Sequence, residues 1–73
     1  MREKIIEIIT EIRPDYDPTS PDSNLVEDLD SLDIISLLSE LEDAFDISIT
    51  MEEKTEENFA TVDTVMEMIE RLQ

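Results

Sequence analysis

The sequence predicts an all-α fold, a small four-helix bundle with three main helices and one short one. Three observations predict it. Apolar residues recur at helical spacing in three separate stretches. Each stretch begins or ends at a residue suited to a helix terminus. The one alternating run is a single short stretch with no partner strand. At 73 residues the chain is read as a single domain, 1–73. A domain of this size buries only ~60% of the surface its unfolded chain exposes, so its stability margin is thin.

The first helix is expected from Arg2 to Arg13, where Ile5, Ile8, Ile9 and Ile12 form one apolar stripe. Pro14 disfavours helical geometry at Arg13 and so ends it. The chain contains no Gly, so no helix can stop at the usual left-handed glycine. A connection from Pro14 to about Leu29 holds all three prolines and many Asp, Ser, Thr and Asn residues, which marks it as loop. Loops longer than ~12–15 residues are uncommon in compact domains and are often functional. Leu25, Val26, Leu29 and Tyr16 are expected to pin this one to the core.

The second helix is expected to start at Ser31 or Leu32 and end near Phe45. Its buried face is Ile34, Leu37, Leu38, Leu41 and Phe45. Asp30 suits the N-cap, and Asp33 suits the dipole of the first turn. Leu32 and Ile35 fall off the stripe and are candidates for exposed apolar contacts. Asp46-Ile47-Ser48-Ile49 reads as extended linker. Thr50 with Glu53, and Thr55 with Asn58, resemble helix starts, so a short third helix is placed within Met51–Phe59. Thr61 then caps a last helix, Val62 to Leu72, with the stripe Val62, Val65, Met66, Ile69 and Leu72.

Charge restricts the partners. Twenty-one acidic residues face five basic ones, a formal net charge of -16. From Pro14 to Glu53 there are thirteen Asp and Glu and no Lys or Arg. Nucleic acid and anionic membrane surfaces, which are bound through Lys and Arg, should be repelled. A partner with a basic patch would be steered in. No apolar run approaches the ~20 residues needed to span a bilayer, and Met1 opens no signal peptide, so a cytoplasmic location is expected.

Few residues can carry catalysis. Without His or Cys there is no activated nucleophile, no disulfide and no zinc site of the usual kind. The chain is therefore expected not to be an enzyme. Asp15, Asp17 and Thr19 have the spacing that opens an EF-hand loop. Ser20 then stands where Gly is needed and Val26 where a bidentate Glu is needed, so no dedicated metal site is expected. The remaining candidate is Asp30-Ser31-Leu32-Asp33. A serine at a helix N-terminus is, taken alone, most often a cap. Here a proline-rich loop delivers Ser31 to the start of an acidic amphipathic helix. An anion on it would meet free N–H groups and the helix dipole.

Around these residues the chain resembles the acyl carrier protein family, including peptidyl and D-alanyl carrier proteins. The resemblance centres on Leu25-Val26-Glu27-Asp28-Leu29-Asp30-Ser31-Leu32-Asp33. It continues through Leu41-Glu42-Asp43-Ala44-Phe45-Asp46-Ile47-Ser48-Ile49 and Glu56-Glu57-Asn58-Phe59-Ala60-Thr61-Val62. It implies that Ser31 receives a 4'-phosphopantetheine arm from coenzyme A through a phosphopantetheinyl transferase. The arm's thiol would hold acyl or aminoacyl cargo as a thioester. It implies too that Asp30 and Asp33 face the transferase, and that Leu32 and Ile35 give partners an apolar anchor ringed by Glu27, Asp28, Glu42 and Asp43. Those partners would be loading and acyl-transfer enzymes with basic patches.

Three departures from the family pattern stand out. No Gly precedes Asp-Ser-Leu, and the approach through Glu27-Asp28-Leu29 looks a residue or two shorter. Ser36 replaces a common acidic residue, and Ser39 a common apolar one. Both serines favour a specialised pathway over a generic fatty-acid assignment, while fatty acid, polyketide, nonribosomal peptide (aminoacyl) and D-alanyl roles all stay open. A free-standing monomeric carrier is expected. The rival from another class is a non-catalytic acidic interaction module, an inhibitor or nucleic-acid mimic, in which Ser31 is only an N-cap.

Overall fold

In the computed structural model, which describes all 73 residues, the regular structure is all helical, joined by loops and turns, with no strand. It runs α1 (Arg2–Ile12), α2 (Leu25–Asp28), α3 (Ser31–Phe45), a 3-10 turn (Met51–Glu53) and α4 (Val62–Leu72). The stripe on α1 buries Ile5, Ile8 and Ile9 and half-buries Ile12. Arg13 has left helical geometry ahead of Pro14, and its N–H still closes on the Ile9 carbonyl.

The first unpredicted element is α2. The segment read as loop to Leu29 contains one helical turn. Asn24 caps it, its side-chain oxygen accepting from the N–H groups of Val26 and Glu27. Leu25 is fully buried beneath it and donates its N–H to the Ala60 carbonyl at 2.8 Å. This tie joins the approach to Ser31 with the start of α4.

On α3, Leu37 and Leu41 are completely enclosed, and Ile34, Leu38 and Phe45 pack half-buried beside them. The helix ends in the left-handed conformation despite the absence of glycine. Asp46 takes φ 52 and ψ 52 and donates its N–H to the Glu42 carbonyl. Ile47 donates to the same oxygen at 3.3 Å, completing a Schellman-type end with Ile47 against the core.

The linker Ile47–Ile49 is extended, and Ile49 is buried. The short helix placed within Met51–Phe59 is a single 3-10 turn at Met51–Glu53, followed by turns up to Phe59. Thr55 does cap its turn, accepting from the Asn58 N–H at 3.2 Å. The Asn58 amide donates to the Glu53 carbonyl at 2.7 Å and accepts from Arg71 at 3.2 Å, which ties the segment to α4. Thr61 and Thr64 form a capping box at the start of α4. That helix buries Val62, Val65, Met68 and Ile69. Met68 takes the deep position expected of Met66, which is half-buried like Leu72. The buried side chains of α1, α2, α3 and α4, with Leu29 after α2 and Ile49 and Phe59 from the connecting segment, form one core of 13 residues.

Candidate attachment site and partner face

Ser31 occupies the first full position of α3 and is exposed. The N-cap is Asp30, with extended backbone (φ -84, ψ 177), and its Oδ1 accepts the Asp33 N–H at 2.9 Å. One part of the rival reading is thereby corrected: the cap is Asp30, not Ser31. A carboxylate accepts a first-turn N–H more strongly than a hydroxyl does, so Asp30 takes the role and leaves the Ser31 hydroxyl free. The N–H groups of Ser31 and Leu32 precede the first intrahelical bond, which Ile34 makes to the Asp30 carbonyl. An anion attached to Ser31 therefore finds donors and a positive dipole end.

The approach to Ser31 is braced. Tyr16 donates its hydroxyl to Asp28 Oδ2 at 2.7 Å, and the Asn24 N–H donates to the same oxygen at 3.0 Å. These bonds, the Asn24 one foremost, hold the Asp28 carboxyl below the usual carboxylate range. Burial, reinforced by Asp28, pushes the Tyr16 hydroxyl up to about 12. Tyr16 thus pins the long connection to α2, two residues before Asp30. The same connection is folded on itself: Pro18 is buried, and its carbonyl accepts from the Ser23 hydroxyl at 3.0 Å.

The acidic residues expected on the partner face divide into two groups. Asp30 and Asp43 are exposed, as are Glu27 and Asp28. Asp33 and Glu42 are half-buried and have partners inside the protein. Asp33 accepts from Arg13 at 2.9 Å, and the Glu42 carboxylate accepts the Ile49 N–H at 2.8 Å. Neither contact is visible in sequence, since each joins residues that no local pattern relates. Leu32 and Ile35 are exposed at 74% and 61%, high for large apolar side chains on a packed helix. With Ser36, Ser39 and Asp43 they lie along one outward line of α3, at the i, i+3, i+4 spacing of a helix face.

An apolar groove of ≈ 170 Å³ flanks the same helix, lined by Val26, Ile34, Leu38 and Phe59, with Lys54 and Glu56 at its polar side. Ile34 lies about one helical turn beyond Ser31 and Leu38 about two. No group of acidic side chains converges as a metal site, and no helix is long and apolar enough to cross a membrane.

A helical chain that presents a free serine at a helix start can be compared with known families. The family model for the phosphopantetheine attachment site matches residues 3–72, nearly the whole chain. The chain belongs to that family of carrier proteins. It is similar to the acyl carrier protein of Syntrophobacter fumaroxidans (strain DSM 10017 / MPOB), 36% identical over 72 residues, covering 94% of this chain and 86% of the relative. It is also similar to the acyl carrier protein of Syntrophus aciditrophicus (strain SB), 41% identical over 56 residues, 73% of this chain and 70% of the relative. No solved structure matches it significantly. Members of the acyl carrier protein family are non-catalytic and carry a covalent 4'-phosphopantetheine group. The exposed hydroxyl and unpaired first-turn N–H groups at Ser31 fit such an attachment. The lack of His and Cys leaves the reactive thiol to come from the prosthetic group itself.

Proposed function

We propose that this carrier holds acyl or aminoacyl intermediates on a 4'-phosphopantetheine arm attached to Ser31. The observation that supports this most is the division of labour at the start of α3. Asp30 caps the helix, while Ser31 stands exposed with its hydroxyl unused. The group supplies a thiol that bears cargo as a thioester. The protein supplies a fixed attachment point, donors for the phosphodiester and a face for partners.

That face centres on Leu32 and Ile35. Their exposed side chains offer a small desolvation gain to a docking enzyme, and Asp30, Asp43, Glu27 and Asp28 steer a basic surface toward them. Contacts of this size favour short-lived, salt-sensitive encounters, which suit a carrier that visits several enzymes in turn. The groove along Ile34 and Leu38 gives an apolar cargo a place beside α3. Ser36 and Ser39 put uncharged hydroxyls in the middle of the face, which supports a dedicated set of partners rather than the generic fatty acid machinery.

The test is intact-mass analysis after incubation with coenzyme A, magnesium and a broad-specificity phosphopantetheinyl transferase. Wild type is expected to gain one phosphopantetheine, and Ser31→Ala none, with an unchanged far-UV circular dichroism spectrum. Equal gain by Ser31→Ala would refute the assignment.

A further inference from the structure

The stretch from Pro14 to Glu53 supplies Ser31 and its surroundings and contains no basic residue. The fold nevertheless brings a cation to it. Arg13, at the C-terminal end of α1, donates from Nη1 to Asp33 Oδ2 at 2.9 Å, closing a contact across 20 residues of chain. Asp33 stands two residues beyond Ser31. Its side chain is 19% exposed against 40% for Arg13, so the carboxylate is the less accessible member of the pair. Asp15 and Asp30 also attract the guanidinium and help to hold it there. Arg13 is thus fixed among the charges that any basic enzyme approaching Ser31 must meet.

We infer that Arg13 is a specificity-determining residue of this carrier: its ion pair withdraws Asp33 from recognition, so that a docking enzyme meets a neutral pair beside Ser31 and is steered by Asp30 instead. The inference rests on Ser31 as the attachment residue. It follows from the chemistry of exposed charge pairs. A free carboxylate attracts a basic partner, a lone guanidinium repels it, and the two together largely cancel beyond a few ångströms. An enzyme selected for this carrier need not contact Asp33, whereas one that relies on a carboxylate there docks poorly.

The experiment measures kcat and KM for arm transfer by a broad-specificity transferase with a basic docking surface, at low ionic strength. Wild type is compared with Arg13→Gln, Asp33→Asn and the double variant. Arg13→Gln exposes a free carboxylate and is expected to lower KM roughly 3- to 5-fold with kcat unchanged, the scale of one exposed charge interaction. Asp33→Asn leaves a lone cation and raises KM by a similar factor. The double variant, neutral again, returns to within about 2-fold of wild type. Two results would overturn the inference. One is a double variant as impaired as Asp33→Asn, which would mean that Asp33 itself touches the enzyme. The other is an Arg13→Gln KM equal to that of wild type.

Circular dichroism and melting check that each variant is folded. If Arg13→Gln does not fold, Asp33→Asn alone decides. A penalty from a lone cation disappears near ~1 M salt, where the screening length is about 3 Å, while a lost contact persists and refutes the inference. If wild type itself gains no arm, the Ser31 assignment has failed and this inference falls with it. If wild type loads but the KM pattern is absent, only the role of Arg13 is rejected.

Discussion

Asp46 ends α3 in the left-handed region, at φ 52 and ψ 52, where the Cβ of an L-residue crowds the following carbonyl oxygen. Replacing it with glycine removes a conformational cost of about 1–2 kcal/mol, lower for Asp than for most residues because its side chain tolerates this region. Glycine in turn gives the unfolded chain freedom that is worth roughly 0.5–1 kcal/mol. Loss of a negative charge at the negative end of the helix dipole adds to the gain. The net expectation for Asp46→Gly is stabilisation by roughly 0.5–1 kcal/mol, which in a domain of this size raises Tm by roughly 3–6 °C. Asp46→Ala keeps the geometry but must enter it without a polar side chain, and should melt below wild type. Asp46→Asn removes only the charge and isolates the dipole contribution. Thermal melts followed at 222 nm at one salt concentration give all three values. A Gly variant that melts no higher than the Ala variant would show that left-handed strain at Asp46 is not what limits this helix end.

Other perturbations bear on the core, the brace and the charge. Leu41→Ala empties a completely enclosed position and should cost ~2–5 kcal/mol, a large share of the roughly 4–11 kcal/mol that ~0.05–0.15 kcal/mol per residue allows; a urea midpoint within error of wild type would contradict the packing described. The Tyr16 hydroxyl has a folded pKa raised from 10.0 to about 12, so its stabilising contribution is complete below pH 10.0 and is lost as pH rises toward about 12. Tyr16→Phe should therefore lack that part of the alkaline decline in Tm; parallel wild-type and variant curves through this window would remove the Tyr16–Asp28 brace from the account. With a formal net charge of -16, Tm should rise as sodium chloride is raised from low to physiological strength. A melt indifferent to salt would mean that acidic repulsion does not limit stability.

The three long helices were legible because each has both an apolar stripe and a physical terminus: Pro14 after α1, Asp30 before α3, Thr61 before α4. Helix α2 was not, since four residues make a single turn and periodicity needs more. Its one local signal was Asn24 ahead of Leu25, an N-cap residue before a buried leucine. Met68 was missed because a helix covered from more than one side buries a wider arc than one stripe. At the site, Ser31, Leu32 and Ile35 could be placed from helix register alone. The engagement of Asp33 by Arg13 and of Glu42 by Ile49 could not. Both contacts depend on how separate segments meet, and an acidic side chain looks the same in sequence whether solvated or engaged.

The central claim is that one serine, set apart by its position at the start of α3, carries the arm. Tandem mass spectrometry of proteolytic peptides from the loaded wild-type protein tests it most directly, because the chain has six serines that could in principle be modified. The account requires the whole phosphopantetheine signal on the peptide that contains Ser31, with fragment ions assigning it to that residue. Signal on Ser36, Ser39 or any other hydroxyl, with Ser31 unmodified, would contradict it.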